Sequence, residues 1–467
     1  MADKRTVPVS NLEVKDWFIM KKFFKSVLPQ FIVEKIEGRV YLQKVLENIT
    51  WLFIEKVMRV AVGLFVSVWV ARYLGPEQFG ILGYALAVVA VLAIFASLGM
   101  DGIVVRDIVN DPDCVRETLG SAFVMKLAGG VLTTVLGLSL MYLLRTDDTL
   151  TIYMVGVIAL STIFQAFLTI GLWFQSRVES KYAVYAQNFA FLTVSAIKVI
   201  LILSRAPLIA FAWMTPVEAA IVAVGLVYYY RAKGNYMRQW QVSFSKIKYL
   251  LSKSWPLILS GLSISIYMKI DQIMLGQMIG NHAVGIYTSA VRLAEFWYFI
   301  PAVMVSSLTP AILEARKIDQ SLYYYRLQQL FSILAVMAYA LAIPTTFISN
   351  WIIVALYGAE YSAAGLILAI YIWAAVFIFL GNVRGIWVVA EDLMKFSMVT
   401  SLIGLAVNVV LNYYLIPVYG PVGAAIATVI SQMLISVGSS FFYSKAVFIG
   451  KMQIKALLLV GLINRHG

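Results

Sequence analysis

Twelve long apolar runs divide this sequence, and short polar segments separate them. A helix needs about 20 consecutive apolar residues to cross the ~30 Å hydrocarbon layer of a bilayer. Hydrophobic residues make up 61% of the 467 residues and charged residues 13%, whereas globular domains contain roughly 45–50% and 25%. The sequence therefore predicts an all-α polytopic membrane protein with about 12 transmembrane helices. The predicted spans are residues 48–73, 79–99, 119–144, 151–173, 182–204, 207–230, 255–279, 284–310, 327–349, 363–387, 396–416 and 421–444.

The lysines and arginines are distributed very unequally between the two membrane faces. Of the 37 in the chain, seven lie inside spans; if the N-terminus is cytoplasmic, 27 lie in cytoplasmic segments, and three, Arg72, Arg145 and Arg205, lie in outer loops. Cytoplasmic loops are enriched in Lys and Arg, so both termini are predicted to be cytoplasmic and the protein to lie in the plasma (inner) membrane. The formal charge of +13 then favours anionic membrane lipids as partners and not nucleic acid.

The two ends of the chain differ from the membrane-spanning part. Residues 1–47 interleave aromatic residues such as Trp17 and Phe18 with lysines such as Lys21. This pattern predicts a basic amphipathic helix lying on the membrane, although a purely topogenic segment accounts for it equally well. The apolar run 456–463 is too short to span the bilayer and is either a surface anchor or the start of a longer segment.

A short repeat relates the two groups of six spans. The sequence Gly-x4-Gly-Ile begins at Gly75 in the first outer turn and recurs, 205 residues later, at Gly280. Glycine permits a turn with φ > 0 and close packing of the next helix. Because each group has an even number of spans, the halves are expected to be parallel repeats about an axis along the membrane normal. The predicted organisation is a cytoplasmic basic amphipathic segment 1–47, six-helix lobes 48–231 and 255–446, a basic cytoplasmic linker 232–254 and a cytoplasmic tail 447–467.

Five segments of the sequence resemble a known family. They are Val70–Gly83, Leu98–Arg106, Tyr267–Gly276, Val284–Arg292 and Tyr419–Ala427. Together they are similar to the bacterial polysaccharide-transporter (Wzx-type) flippases, over roughly 48–446. That family belongs to the MOP flippase superfamily, with the multidrug exporters and peptidoglycan-lipid flippases.

The resemblance implies a fold, a function and partners. It implies two six-helix lobes around a central cavity, as in MATE transporters, and an alternating-access cycle. It also implies export of an undecaprenyl-pyrophosphate-linked oligosaccharide from the inner to the outer leaflet for surface polysaccharide biosynthesis. Polysaccharide polymerase machinery is then an expected partner of the protein.

Charged residues inside the predicted spans are mostly cations. A cation at the bilayer centre costs roughly 2.5–3.5 kcal/mol unless it faces protein, water or an anion. An excess of them therefore predicts a cavity that receives a negatively charged cargo. The seven cations are Lys56, Arg59, Lys126, Lys198, Lys269, Arg292 and Arg384, and the four acids are Glu55, Glu218, Asp271 and Glu295.

Depth and local spacing reduce these cations to a smaller predicted site. Lys198 and Arg384 are close enough to span ends to snorkel to the surface. The predicted substrate-binding cations that remain are Lys56, Arg59, Lys126, Lys269 and Arg292. A lipid pyrophosphate would meet arginine as a bidentate donor and lysine as a point charge.

Intrahelical ion pairs are the alternative for two of these cations. Glu55 lies four residues before Arg59, and Glu295 lies three residues after Arg292, so each acid shares a helical face with its cation. Lys269 and Asp271 are two residues apart and cannot pair directly.

Asp271 and Glu218 are the predicted ion-coupling groups, since burial and a nearby cation shift a carboxyl pKa in opposite directions. The sequence leaves open whether the coupling ion is H⁺, Na⁺ or neither. For Asp271 the alternative to ion coupling is pairing with a cavity cation. For Glu218 the alternative is structural, because Thr215 and Pro216 precede it as in a capping box at a helix start. Aromatic residues in the spans offer faces to a glycan, although most such residues pack or sit at interfaces. They are Tyr84, Trp173, Tyr267, Tyr287 and Trp297.

Enzymatic function is not expected from this sequence. The two histidines are His282, in a predicted outer turn, and His466, in the tail, so neither a metal site, a cofactor nor histidine-based acid–base catalysis is predicted. Short outer loops argue against a polysaccharide polymerase or ligase. An ion-coupled multidrug exporter of the same superfamily is the closer alternative, but it would favour carboxylates over cations in the cavity.

Overall fold

The computed structural model describes residues 40–460, and side chains from Met58 onward. This part of the chain is built of helices and connecting turns, without strands. Eleven of its helical segments are long and apolar enough to cross a membrane. The first of them contains Gly75, whose φ of 71° and ψ of 168° separate two helices that meet in a tight turn. Counting these two passes separately confirms the predicted architecture of about 12 transmembrane helices.

Seventeen α-helices follow one another in the described residues, and several short ones combine into one membrane pass. They are α1 Val40–Leu92, α2 Ile94–Ser97, α3 Asp101–Asn110, α4 Val115–Leu144, α5 Thr149–Phe164, α6 Leu168–Ser176, α7 Lys181–Leu203, α8 Leu208–Ala232, α9 Phe244–Met278, α10 Asn281–Glu295, α11 Phe299–Ile318, α12 Gln320–Tyr357, α13 Ala364–Tyr371, α14 Ala374–Ala390, α15 Met394–Tyr419, α16 Pro421–Ser436 and α17 Val447–Leu457.

Two membrane passes change helix type near their middle. A 3-10 turn, Gln165–Phe167, joins α5 to α6, and another, Phe296–Tyr298, joins α10 to α11. The helix α8, in contrast, runs unbroken from Leu208 through Pro216. The capping-box interpretation of Thr215–Glu218 is therefore wrong, because this helix starts two turns earlier and the proline removes only one of its hydrogen bonds.

The repeated glycine hairpins pack against each other. A side chain at Gly80 would collide with the backbone carbonyl of Asn281, and one at Gly285 would collide with that of Pro76. These two contacts are equivalent at the 205-residue offset, since 80 corresponds to 285 and 76 to 281. Only glycine lets the backbones approach this closely. The repeat thus brings the two halves together at the predicted outer face.

The halves separate toward the predicted cytoplasmic face. On α9, the residues Asp271, Gln272, Leu275 and Gly276 near the outer end are buried, whereas no residue in the stretch 255–270 is buried. A helix without a buried side over four turns faces lipid on one side and open space on the other. A central cavity between the halves therefore opens to the predicted cytoplasmic face.

The C-terminal segment packs on the second half. Gln328 Nε2 on α12 donates to the Met452 carbonyl at 3.1 Å, and Tyr339 Oη donates to the Leu457 carbonyl at 3.1 Å. The segment predicted as a cytoplasmic tail contains a helix, α17, that lies along α12. The predicted amphipathic segment lies outside the described residues, except for 40–47, which begin α1.

Candidate functional site

Arg59 pairs with an acid on another helix. Its Nη1 atom, on α1, lies 3.8 Å from Oε1 of Glu218 on α8, and the two side chains are 34% and 27% exposed. The Arg59 guanidinium also lies over the Phe191 ring, 5.2 Å from its centroid. This pair brings together one predicted cavity cation and one predicted coupling acid. The side chains of Glu55 and Lys56 lie outside those that the structure describes.

Lys198 belongs to the same charged region. It is half-buried, and its ammonium group interacts electrostatically with Glu218 and with Arg292. The snorkelling interpretation is therefore wrong for Lys198, because the side chain turns toward the interior of the protein. No local spacing rule reveals this direction, since both partners come from other helices.

Arg292 bridges the two halves. It donates from Nη1 to the hydroxyl of Ser67 on α1, and its guanidinium lies over the Phe79 ring at 5.3 Å. Glu295 is the last residue of α10, one turn after Arg292. Its carboxylate interacts electrostatically with the positive charges of Lys269 and Arg292. It also accepts a 3.5 Å hydrogen bond from the Tyr371 hydroxyl.

These residues form one group, here called the cavity cluster. Its members are the cations Arg59, Lys198, Lys269 and Arg292 and the acids Glu218 and Glu295. Counted at 1.5 Å per residue from the predicted outer helix ends, Arg292 lies about 16 Å deep and Arg59 about 24 Å deep. The cluster thus extends from the middle of the membrane toward the predicted cytoplasmic side. Its four cations outnumber its two carboxylates, so it keeps a net positive charge that attracts an anion.

Two other buried cations are bound elsewhere. Lys126 is 2% exposed, and its Nζ atom lies 2.5 Å from Oδ1 of Asp101. Arg384 is 5% exposed and donates to the Ile435 carbonyl and to the Ser439 hydroxyl, each at 2.6 Å. Among the described residues, no contact joins either cation to the cavity cluster. Arg384 is thus buried in the second half, and the snorkelling interpretation is wrong for it too.

A second polar group, the Asp271 cluster, lies inside the second half. Asp271 is 5% exposed and accepts hydrogen bonds from the Tyr287 hydroxyl at 2.6 Å, the Thr428 hydroxyl at 2.5 Å and Asn412 Nδ2 at 2.6 Å. Asn412 Nδ2 also donates to Asn408 Oδ1 at 3.0 Å. Within the described part of the chain, no cation lies within 4.0 Å of Asp271. The expected alternative, pairing with a cavity cation, is not realised.

The Asp271 cluster contains one unused acceptor. Asn412 Oδ1 is buried and has no hydrogen-bond partner among the described residues. A carboxylate, an amide oxygen and hydroxyl groups together can hold a small cation or a proton. The sequence analysis missed Asn408, Asn412 and Thr428. A signal existed for the two asparagines, which are four residues apart in a predicted span and so share a helical face.

An arginine closes the cavity at the predicted outer face. Arg145, 11% exposed, donates from Nη2 to the Gly276 carbonyl and from Nη1 to Asn281 Oδ1 at 2.8 Å. It also contacts Asp148 Oδ2 at 3.1 Å and lies 4.1 Å from the centroid of the Tyr84 ring. These contacts, here called the outer latch, tie the first half to the second. The sequence analysis counted Arg145 only as an outer-loop charge.

About twelve membrane passes in two similar halves, with a charged cavity open on one face, define a membrane transporter. Comparison with known proteins specifies the class. The family model described as Polysaccharide biosynthesis protein matches residues 45–316, and the MatE model matches residues 256–414. The first match covers more than half of the chain, so the chain belongs to the Polysaccharide biosynthesis protein family.

Individual relatives agree with this family. The Capsular polysaccharide biosynthesis protein CapF of Staphylococcus aureus is 21% identical over 412 residues, 85% of this chain and 99% of CapF. The Probable flippase AglR of Haloferax volcanii is 29% identical over 185 residues, 39% of each chain.

Solved structures share the fold. An inward-facing MATE family multidrug resistance transporter of the MOP superfamily superimposes with a TM-score of 0.71, at 16% identity, over 88% of this chain and 99% of that one. The lipid II flippase MurJ, in an inward closed conformation, gives a TM-score of 0.64 at 16% identity, over 89% and 93%. The predicted MATE-like arrangement of two lobes is confirmed.

Proposed function

We propose that this transporter moves an undecaprenyl-pyrophosphate-linked oligosaccharide from the cytoplasmic to the outer leaflet of the plasma membrane. The observation that carries the proposal is the cavity cluster, in which cations outnumber carboxylates between the two halves. The names of its relatives, a capsular polysaccharide biosynthesis protein and a probable flippase, support the same class of cargo.

Charge explains why such a cavity suits this cargo. A lipid pyrophosphate must cross an apolar layer about 30 Å thick, and fixed cations replace part of its hydration. Lys269 and Arg292 are both close to the carboxylate of Glu295, and Arg59 is paired with Glu218. These acids lower the affinity of the cations for the anion, so the cargo can be released again. A multidrug exporter for organic cations would require the opposite balance of charges.

Alternating access provides the route. The cavity opens to the predicted cytoplasmic face, where the cargo is made, while the outer latch and the glycine hairpins close the other face. Release to the outer leaflet requires these contacts to separate. Arg292 donates to Ser67 across the two halves, so the rearrangement also changes the surroundings of a cargo-binding cation. No bond is made or broken in this cycle, and the protein acts without catalysis or a cofactor.

The Asp271 cluster is the proposed site of ion coupling. Binding of H⁺ or Na⁺ there would remove the charge of a carboxylate that is buried without a cation, which changes the packing preference of α9. The same helix carries Lys269, so ion binding and cargo binding act on one element. Glu218, the other predicted coupling acid, pairs with Arg59 and contributes through the cavity cluster.

The test is a double substitution in the cavity cluster, Lys269→Gln with Arg292→Gln. Both changes keep the side chains polar but remove two positive charges from the anion site. In cells that depend on this transporter for surface glycan, we expect loss of surface polysaccharide and accumulation of lipid-linked oligosaccharide, measured by extraction and chromatography.

The matched control is Lys253→Gln, which removes an exposed cation from the same helix outside the cavity cluster. It should leave surface glycan unchanged. Normal surface glycan in cells with membrane-inserted double variant would overturn the proposed function.

A further inference from the structure

A polar cleft of about 500 Å³ lies on the predicted cytoplasmic face of the first half. Three segments form it: the turn before α4, the end of α6, and the stretch that leads from α8 to α9. It shares no residue with the cavity cluster. Clefts of this size hold a small ligand such as one or two sugar rings.

The wall of the cleft is fixed in place. The Gln241 backbone N–H donates to the Arg116 carbonyl at 3.2 Å, and the Ser243 N–H donates to the Ser121 hydroxyl at 3.2 Å. Trp240 Nε1 donates to the Tyr230 hydroxyl at 3.0 Å. The connecting segment is therefore bound to the first half and forms a permanent surface of the cleft.

Four charged side chains line this cleft without pairing. They are Arg116, Arg177, Asp113 and Glu117. Among the residues that the structure describes, none of them has an oppositely charged group within 4.0 Å. The Arg177 guanidinium is held over the Trp173 ring at 4.6 Å, which fixes its position while leaving its N–H donors available.

The mixture of charges selects the class of ligand. The two carboxylates repel a phosphate group, and the two arginines repel a cationic peptide or amine. A hydroxyl group both donates and accepts hydrogen bonds, so a polyhydroxylated ring can satisfy both kinds of side chain. Tyr236, 52% exposed at the cleft, offers an aromatic face to the C–H side of such a ring.

We propose that this cleft is a saccharide-binding subsite, which holds the glycan of the lipid-linked cargo at the cytoplasmic face. This inference rests on the proposed function and adds a second recognition point to it. The segment that forms the cleft wall continues directly into α9, which starts at Phe244 and carries Lys269 about 38 Å further along the helix. The cleft would therefore bind the sugars first, and the cavity cluster would bind the pyrophosphate when the cargo moves into the membrane.

The test uses the cargo glycan itself as the probe. Lipid-linked glycans are extracted from cells in which the transporter gene is deleted, the oligosaccharide is released with mild acid, and its reducing end is labelled with a fluorophore. Its binding to the purified full-length protein in lipid nanodiscs is measured by fluorescence anisotropy. We expect the combined change Arg116→Gln and Tyr236→Ala to weaken binding about tenfold, a loss of one or two hydrogen bonds and a ring contact.

The controls separate the cleft from the rest of the protein. Arg238→Gln removes an exposed arginine of the same segment that does not line the cleft, and it should leave the affinity unchanged. If the double variant in the cleft has a lower unfolding temperature than wild type, the single variant Gln239→Ala is used instead. Gln239 is exposed and lines the cleft. Its loss should weaken oligosaccharide binding severalfold.

Each other outcome contradicts a specific claim. Equal oligosaccharide binding by wild type and correctly folded cleft variants overturns the saccharide subsite but leaves the proposed function intact. Displacement of the labelled oligosaccharide by inorganic pyrophosphate identifies an anion site and also overturns the subsite. Absence of lipid-linked glycan in the deletion strain overturns the proposed function, and the subsite with it.

Discussion

The two halves of this transporter share a hairpin but differ in what lies behind it. Both have the Gly-x4-Gly turn, and each turn packs on the other. At the same 205-residue offset, however, Asp271 of the second half corresponds to Val66 of the first, and Tyr287 corresponds to Leu82. The closure contacts are symmetric, whereas at these equivalent positions only the second half has a buried carboxylate. The repeated glycine turns therefore serve packing in both halves, whereas the second half alone has the Asp271 cluster behind its turn.

The largest expected effect on transport comes from substitution of Asp271, which has no carboxylate at the equivalent position of the first half. Asp271→Asn keeps the size of the side chain but removes the charge that an ion would neutralise. We expect ion-driven transport in proteoliposomes to fall by about tenfold or more, equivalent to ~1.4 kcal/mol on the rate-limiting step, and its dependence on an ion gradient to vanish. The measurement is flipping of lipid-linked oligosaccharide with and without imposed H⁺ and Na⁺ gradients.

Val66→Asn is the matched change in the first half. It adds a polar group at a half-buried position and should lower stability by about 1–3 kcal/mol while the ion dependence remains. An Asp271→Asn protein that keeps its ion dependence would contradict the assignment of ion coupling to the Asp271 cluster.

The next effect tests the symmetric part of the comparison. Gly80→Ala and Gly285→Ala each place a methyl group against backbone of the opposite hairpin, so each should destabilise the protein by about 1–3 kcal/mol through overpacking. Thermal unfolding in detergent, followed by light scattering or fluorescence, measures the loss.

Each of these variants has a control in its own half. A methyl group at Gly102 or at Gly385 meets nothing within 4 Å, so Gly102→Ala and Gly385→Ala should be neutral or slightly stabilising. A large effect of one hairpin glycine and none of the other would break the symmetry inferred from their packing.

The smallest effect concerns the outer latch. Arg145→Gln removes the charged donor that joins α4 to α9 and α10, so the outer face should open more often. In a Cys114→Ser background, a cysteine at the buried position 289 should react about fivefold faster with an impermeant maleimide from outside, equivalent to ~1 kcal/mol. Arg72→Gln, an exposed outer arginine, should not change the rate; unchanged labelling in Arg145→Gln would contradict the latch.

The spans and the hairpin repeat could be predicted because both are local properties of the sequence. About 20 consecutive residues are enough to predict a membrane pass, and six are enough to predict the glycine turn. One local rule still failed. The capping-box pattern at Thr215–Glu218 lies inside α8, because an apolar helix that already began at Leu208 tolerates one proline.

The site could be predicted only in part, because side-chain direction depends on distant helices. Sequence position identified Asp271 as buried, but its partners Asn412 and Thr428 lie 141 and 157 residues away. Their position in the spans predicted that Lys198 and Arg384 both snorkel to the membrane surface, but both side chains point toward the interior of the protein. Lys126 contacts Asp101, an acid outside the predicted spans that no helical spacing connects to it.

The burial of Arg145 also determines the electrical character of the predicted outer surface. With that arginine folded against Asp148, the outer loops keep fewer exposed cations than exposed acids. These are Arg72 and Arg205 against Glu77, Asp147 and Glu360. A weakly negative surface repels a pyrophosphate headgroup, whereas the opposite face attracts it through its many basic residues. For the proposed anionic cargo, this repulsion would lower the rate at which the lipid headgroup re-enters the transporter from the predicted outer side.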